Sequence, residues 1–427
     1  MKTLKVGMLG CGNVGSQIAR LLVANKADLA SRAGAQLELV KVAVKDIKAK
    51  RDGIATSLLT DDPYSVVNDP AIDLIIEVIG GISPAKELIL AAFKNGKSVV
   101  TANKALLAKE GAALYQAAGE ANVDLYYEAA VAGAIPILRP LRESLVGDHV
   151  RRIMGIVNGT TNYILTKMDE SGTAFADALK QAQELGFAEA DPTADVEGID
   201  ASDKAAILAG LAFHSRVTDK DVYREGITKI TATDVKVAKA MDMVIKLLAI
   251  TELTASGEIS VRVHPALISR THPLASVRES FNAVFVEAQS AGQMMFYGKG
   301  AGGEPTASAV LGDLVAIARH KVLGGIGPKE SDYASLKIAP MGETKTRYLI
   351  RLNVADKPGV LESVAHVFAS HSVSIQTVRQ TGAGDKAELI IMTHTSTESA
   401  LSATVKELGK LPAVTDVASV LRVEGAI

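Results

Sequence analysis

Short apolar runs alternate with amphipathic segments along the first third of the chain. Segments with helical periodicity lie at 16–25, 84–95 and 105–121. The apolar runs, which are typical of buried strands, lie at 4–9, 37–44, 73–79, 97–102 and 123–127. Strands that alternate with helices predict an α/β domain with a doubly wound parallel sheet, which we place at residues 1–135.

The pattern changes after residue 135. Strand-like runs begin at Arg151, Glu258 and Phe281. Amphipathic helices are predicted between and around them, at 161–170, 173–185, 196–213 and 232–249. This mixture indicates an α+β substrate-binding, catalytic and dimerisation domain over 136–322, in which a helix at 306–321 is expected to pack back on the first domain.

The C-terminal part has a third pattern. Residues 323–346 are rich in Gly, Pro and Lys and predict a linker. After it, the strands YLIRLNV, SIQTVRQ, AELIIMTH and VTDVASVLRV and two intervening helices follow in the order βαββαβ. That order predicts a ferredoxin-like unit over 347–427.

The composition is that of a globular protein of two or three domains. The 427 residues carry a formal net charge of −2, which does not favour nucleic acid or an anionic membrane as a partner. The single cysteine excludes an internal disulfide and suits a reducing compartment. The chain enters a strand at once, without a signal peptide, and no apolar run has the length of a membrane span. We therefore expect a cytoplasmic protein.

A glycine-rich loop follows the first predicted strand and precedes the first predicted helix. Gly10 allows a tight turn, Gly12 lets the backbone approach a pyrophosphate, and Gly15 lets the helix pack closely on the strand. The intervening Asn13 and Val14 open the helix, whose free N–H groups face phosphates. The loop therefore predicts a Rossmann-type dinucleotide site.

The end of the second strand bears on the choice between NAD and NADP. Lys45, with Lys48, Lys50 and Arg51 behind it, favours a ribose 2′-phosphate and therefore NADP. Asp46 is compatible with NAD, and a solvated loop would have the same composition.

Two groups of charged residues are candidates for chemistry. Glu197, Asp200 and Lys204 have spacings of three and four residues, which place them on one face of a helix followed by an apolar run. Lys104 follows a strand end, where parallel sheets bind their ligands. An ordinary ion pair and a solvated helix-start lysine are the alternative interpretations of these two patterns.

Six segments together resemble homoserine dehydrogenase, and the resemblance covers nearly the whole chain. They are GCGNVG at 10–15, VVTANKALLA at 99–108, EAAVAGAIPI at 128–137, NGTTNYIL at 158–165, GFAEADPTADVEGIDASDK at 186–204 and YGKGAGGEPTASAV at 297–310. The C-terminal unit, with DKPGVL at 356–361, resembles an ACT domain. The resemblance implies reduction of L-aspartate 4-semialdehyde to L-homoserine with NADPH or NADH, in threonine and methionine synthesis. Without a kinase domain, the chain corresponds to the monofunctional form.

The resemblance also implies roles for individual residues. Lys204 is the expected acid and base, Lys104 contacts cofactor and substrate, and Asp200 orients the substrate and Lys204. The further residues expected at the substrate are Glu189, Asp195, Thr160 and Tyr163. Those expected at the cofactor, besides the glycine-rich loop, Lys45 and Lys104, are Thr101, Gly302 and Glu304.

The resemblance implies a sodium site as well. Its ligands would be backbone carbonyls of Glu128, Val131, Gly133 and Ile135, although a buried structural turn would have the same sequence. A catalytic transition metal is not expected, because His264 and His272 lack partners at ligand spacing.

Regulation and assembly follow from the C-terminal unit. We expect L-threonine to bind the ACT domain and inhibit, and the chain to form a homodimer or homotetramer. An aldehyde dehydrogenase needs a thiol at the substrate, and Cys11 lies in the nucleotide loop instead. The remaining alternative is a sensor that binds nucleotide and amino acid without catalysis.

Overall fold

The first domain is a six-stranded parallel sheet with helices on both faces. The structure, a computed structural model, describes residues 1–51, 53–330, 333–382 and 387–425. The strands, in sheet order, are β3 (Leu59–Thr60), β2 (Gln36–Ala43), β1 (Thr3–Leu9), β4 (Leu74–Glu77), β5 (Ser98–Thr101) and β6 (Leu125–Tyr126). The helices are α1 (Asn13–Ala24), α2 (Lys26–Ala33), α3 (Tyr64–Val67), α4 (Ala85–Lys94) and α5 (Lys104–Ala121). This order confirms the Rossmann-type sheet, with its switch point between β1 and β4.

The central part is a mixed sheet covered by helices. Its strands are β7 (Val150–Ile156), β8 (Tyr223–Arg224), β9 (Met243–Leu253), β10 (Ile259–Ser269), β11 (Phe281–Ala288) and β12 (Gly292–Lys299). Its helices are α6 (Gly159–Ser171), α7 (Phe175–Glu184), α8 (Thr193–Val196), α9 (Ile199–Phe213), α10 (Ala232–Ala240) and α11 (Gly303–Leu323). Helix α11 places Ala307, Val310 and Leu314 in one core with Val6 and Ile18 of the first domain.

The helix predicted at 232–249 is wrong in its second half. Helix α10 ends at Ala240, and Asp242, with φ 56°, turns the chain into β9. Residues 243–251 are buried without interruption because β9 lies between β7 and β10 and is covered on both faces. A strand covered on both faces has no polar alternation, so periodicity did not distinguish it from a helix.

The C-terminal unit has the predicted βαββαβ order, with one additional two-residue strand before the second helix. It consists of β13 (Lys345–Val354), α12 (Val360–Ser370), β14 (Ile375–Thr381), β15 (Ala387–Thr393), β16 (Ser396–Thr397), α13 (Glu398–Leu408) and β17 (Val414–Val423). Strand β17 pairs with β13 and also, in parallel, with β10 at Ala266 and Leu267. The C-terminal and central strands therefore form one eleven-stranded sheet, so these units share a continuous hydrogen-bonded surface.

Across the described ranges, the helices are all too short or too polar to span a bilayer.

Candidate active site

The glycine-rich loop has the geometry that a dinucleotide requires. A Cβ on Gly10, whose φ is +97°, would lie 2.8 Å from the Val78 carbonyl oxygen. A Cβ on Gly15 would lie 2.6 Å from the Gly10 carbonyl oxygen, whereas nothing lies within 4 Å at Gly12. Helix α1 begins at Asn13 without a side-chain cap, so the first amides, including that of Val14, remain available for phosphate.

Basic groups dominate the end of β2. Lys45 and Asp46 are exposed, and the Asp46 carboxylate accepts a hydrogen bond from the Lys48 amide over 2.8 Å. Arg51 lies across the glycine-rich loop, where its Nε donates to the Cys11 carbonyl over 3.3 Å and its Nη1 to the Asp46 carbonyl over 2.8 Å. The arrangement places positive charge beside the pyrophosphate loop.

A cavity of about 1050 Å³ opens beyond the strand ends at the switch point of the first sheet. The first domain contributes Val14 and Lys104 to its wall, and the start of α11 contributes Gly302. The central domain contributes five of the residues predicted for catalysis or substrate binding, namely Thr160, Glu189, Asp195, Asp200 and Lys204. Residues far apart in the sequence therefore meet in one cavity between the two domains.

Asp200 joins the two lysines. Its Oδ2 lies 2.7 Å from Lys204 Nζ and its Oδ1 lies 3.0 Å from Lys104 Nζ. Lys204 also donates to the Val157 carbonyl over 2.5 Å. Burial alone would raise the pKa of Asp200, but the two ammonium groups outweigh it and lower that pKa below its ordinary value. Asp200 in turn raises the pKa of Lys104.

Glu197 does not belong to this face. Gly198, with φ 74°, precedes the first residue of α9, so Glu197 lies outside the helix. Its carboxylate accepts a hydrogen bond from Thr228 Oγ1 over 3.0 Å instead. The spacing argument holds for Asp200 and Lys204 because both lie within α9.

Sequence reasoning missed two polar residues of the cavity. The Asn158 amide nitrogen donates to Asp195 over 2.6 Å and to Asp200 over 2.9 Å, while its oxygen caps α6 at the Thr161 amide. Burial and the neighbouring Asp200 raise the pKa of Asp203 to about 6. Asn158 is the first residue of the NGTTNYIL segment, but the sequence did not indicate its partners because the tertiary fold brings them together.

Three predicted residues, Tyr163, Thr101 and Glu304, lie outside the cavity lining, whereas Thr160 belongs to it. Thr160 donates to the Phe187 carbonyl over 2.6 Å, and the buried Tyr163 packs against the Phe187 ring at a centroid distance of 5.2 Å. Thr101 is fully buried and donates to Glu77 over 2.5 Å. Glu304, in the first turn of α11, lies 3.3 Å from Arg20 of α1.

The segment predicted to bind sodium is a tight buried turn. The Glu128 carboxylate accepts hydrogen bonds from the amides of 137–139 at 2.6–2.9 Å, and its backbone carbonyl accepts one from the Val131 amide over 3.4 Å. Val131 and Ile135 are buried, and a Cβ on Gly133 would lie 2.5 Å from the Gly300 carbonyl oxygen. Beside Gly300, the fully buried Asn282 amide has no hydrogen-bond partner among the described residues.

The histidines and the cysteine have structural surroundings. His264 is fully buried 3.6 Å from Glu424, and His272 caps a short 3₁₀ turn. Burial raises the pKa of the Cys11 thiol. Within 1–51, 53–330, 333–382 and 387–425, no three His, Cys, Asp or Glu side chains are grouped to hold a metal ion.

Three family descriptions match successive parts of the chain. Residues 10–128 match the NAD-binding domain of homoserine dehydrogenase, 136–315 match homoserine dehydrogenase itself, and 348–413 match the ACT domain. The homoserine dehydrogenase of Corynebacterium glutamicum is 54% identical over 423 residues, which cover 98% of this chain and 95% of that protein. The Mycobacterium tuberculosis enzyme is 54% identical over 434 residues, covering 99% and 98%.

Solved structures agree with these matches. The crystal structure of a homoserine dehydrogenase from Thiobacillus denitrificans superposes with a TM-score of 0.94 at 40% identity and covers 99% of both chains. A hyperthermophilic archaeal homoserine dehydrogenase in complex with NADPH has a TM-score of 0.65 at 28% identity, covering 77% of this chain and 100% of that one. The chain therefore belongs to the homoserine dehydrogenase family of NAD(P)-dependent oxidoreductases that act on a CH–OH group.

Proposed function

We propose that this chain reduces L-aspartate 4-semialdehyde to L-homoserine in threonine and methionine synthesis, with Lys204 as the proton donor. The observation that carries the proposal is the Lys204–Asp200–Lys104 cluster in the cavity next to the glycine-rich loop. The bound reduced nicotinamide supplies the hydride. The chain itself must then bind the aldehyde, stabilise the alkoxide and deliver one proton.

Lys204 is suited to stabilising and protonating the alkoxide. As hydride adds to the carbonyl carbon, the oxygen becomes an alkoxide, which an adjacent ammonium stabilises and protonates. Asp200 and the Val157 carbonyl restrict Lys204 to one position. In the reverse direction, neutral Lys204 takes the proton of the hydroxyl.

The other charged residues suit the amino-acid part of the substrate. Lys104 has its side chain 40% exposed in the cavity and is our candidate to pair with the substrate carboxylate. Glu189, exposed on the same wall, is the candidate for the substrate ammonium, with Asp195 behind it. Burial raises the pKa of Asp195, and the Asn158 amide opposes that effect.

NADP is the proposed cofactor. Arg51 and Lys45 supply positive charge for a 2′-phosphate, whereas the Asp46 carboxylate, the group that would recognise a free 2′-hydroxyl, is already bonded to the Lys48 amide.

We also propose a sodium ion held by the backbone carbonyls of Glu128, Val131, Gly133 and Ile135. The Asn282 side-chain amide near Gly300, which has no hydrogen-bond partner in the part of the chain that the structure describes, supports a ligand in this region because buried polar groups are normally satisfied.

L-threonine is the proposed effector of the ACT domain, in a homodimer or homotetramer. The test measures formation of reduced nicotinamide from L-homoserine with NADP or NAD, with and without L-threonine. Turnover with a preference for NADP and inhibition by threonine is the expected result. Nucleotide binding without turnover would favour the sensor alternative, and turnover that threonine leaves unchanged would remove threonine as the effector.

A further inference from the structure

Arg422 of β17 lies at the junction of the C-terminal and central units. Its guanidinium is buried and contacts Glu398 of the C-terminal unit at 2.5 Å. It also lies 2.8 and 3.1 Å from the two carboxylate oxygens of Glu225 and donates to the Tyr223 hydroxyl over 3.0 Å. Glu225 and Tyr223 belong to the central domain, so one buried cation joins the two units.

Glu225 lies in a segment that continues towards the active site. We define this connecting segment as residues 223–228. The Glu225 amide donates to the Val263 carbonyl of β10 over 2.8 Å, which fixes its start on the sheet. The Ile227 amide donates to the Val196 carbonyl over 2.8 Å, which fixes its end on the turn before α9.

At Gly226 the backbone of the connecting segment is in direct contact with the turn before α9, with no space for a side chain. A Cβ at Gly226 would overlap the Val196 carbonyl oxygen and would lie 2.6 Å from Glu197 Cα. Thr228 Oγ1 adds a hydrogen bond to Glu197 over 3.0 Å. Backbone in direct contact on both sides transmits a displacement, because close-packed groups have little room to yield.

The turn at 196–198 connects two groups of the active site. Asp195 precedes it, and Asp200 follows it in the first turn of α9, with Lys204 four residues later. Arg224 of the connecting segment also lies 3.4 Å from Ser202 Oγ on the same helix. A shift of the turn therefore changes the positions of both carboxylates relative to Asn158, which bonds both.

We propose that Glu225 is a positioning residue that couples Arg422 to the start of α9 through the connecting segment. The C-terminal unit then contributes to the geometry of the catalytic cluster, and an effector bound there acts on turnover through Arg422 and Glu225. The second part rests on the proposed function of the ACT domain. Where the effector changes substrate affinity, linkage requires the substrate to change effector affinity by the same factor.

The test compares two substitutions in the full chain. Glu225→Gln keeps the shape of the side chain and removes its charge. The matched control is Asp234→Asn. Asp234 on α10 makes a second ion pair between the units, at 2.5 Å from Arg351, and among the described residues it makes no direct hydrogen bond or ion pair to the turn at 196–198. Steady-state kinetics without effector, cofactor KM, thermal midpoint and inhibition by L-threonine are measured for both.

Glu225→Gln is expected to lower kcat roughly two- to thirtyfold, the range for residues remote from both ligands, with cofactor KM unchanged. Glu225→Gln is also expected to weaken inhibition by L-threonine more than Asp234→Asn does, even where the two substitutions lower the thermal midpoint equally. Gly226→Ala should lower kcat in the same way, because it displaces the turn directly. A wild-type kcat in Glu225→Gln, or an equal decrease in Asp234→Asn, would overturn the coupling. If L-threonine does not inhibit the wild-type enzyme, only the proposed effector is overturned, because kcat of the variants is compared without an effector.

Discussion

Lys204 Nζ lies 2.7 Å from Asp200 Oδ2, one helical turn earlier on α9. An exposed pair at the same spacing, such as Lys180 and Glu184 at 4.0 Å, contributes little because solvent screens it. The Lys204 pair is different because both side chains are nearly enclosed and face the cavity. This position supports the proposed role of Lys204 in proton transfer.

The first prediction concerns Lys204. Lys204→Ala should lower kcat by about 10²–10⁴-fold, the contribution of a positioned general acid, while the dissociation constant of NADPH stays within about twofold. Rapid-mixing kinetics and nicotinamide fluorescence measure the two quantities. Lys180→Ala is the matched control and should keep wild-type kcat. A near-wild-type rate in Lys204→Ala would remove it from the mechanism.

The second prediction concerns Asn158, which separates two carboxylates. Asn158→Asp adds a third carboxylate beside Asp195 and Asp200, and like charges raise one another's pKa. The decrease of kcat on acidification should therefore begin at a higher pH than in wild type. If the kcat–pH profile does not move, Asn158 serves only to cap α6.

Sequence and structure agree where the determinants are local. The glycine-rich loop and the i,i+4 pair at Asp200 and Lys204 depend on neighbours in the chain, so spacing was enough to find them. Asn158 acquires its role from partners 37 and 42 residues away, which a single sequence does not specify. For β9, burial on both faces removed the alternation that identifies a strand.

The third prediction concerns Arg51 and the cofactor. Arg51→Gln should raise the KM for NADP about tenfold or more, the effect of a lost hydrogen bond to a charged group, and leave the KM for NAD unchanged. Lys94→Gln, at the exposed end of α4, is the control. An equal rise for both nucleotides would mean that Arg51 only supports the Cys11 carbonyl of the loop.

The fourth prediction concerns Asp203 and stability. Its pKa is raised from 3.8 to about 6, so the folded state holds the proton more tightly than the unfolded state. Stability therefore decreases as pH rises through this window, and the loss persists above it. Asp203→Asn should stabilise by about 1–2 kcal/mol near pH 7 and have no effect below about pH 4. Denaturant unfolding at both pH values measures this, with the exposed Asp61→Asn as control. If Asp203→Asn stabilises the protein equally at both pH values, the raised pKa of Asp203 is not the cause and the prediction is wrong.

The last prediction concerns Glu424, which directly follows β17 and lies buried beside the central sheet. Its carboxylate lies 3.1 Å from Arg262 and 2.5 Å from Arg152, and both partners are largely buried. Burial alone would raise the pKa of Glu424, but Arg262 and Arg152 outweigh it and lower that pKa, so this stabilisation is present above the unfolded pKa of 4.5 and is lost on acidification.

Glu424→Gln leaves the buried Arg262 without full neutralisation and should cost about 3–5 kcal/mol at neutral pH. The decrease in stability on acidification should also become shallower, because one titrating carboxylate is gone. Unfolding of the full chain at several pH values tests both effects, with the exposed Glu362→Gln as control. If Glu424→Gln lowers the free energy of unfolding only slightly and leaves its decrease on acidification unchanged, this contact contributes little to holding the C-terminal unit on the central sheet. A large cost would mean that removing 347–427 disrupts the central sheet, so that substitutions at the junction, rather than truncation, separate regulation from folding.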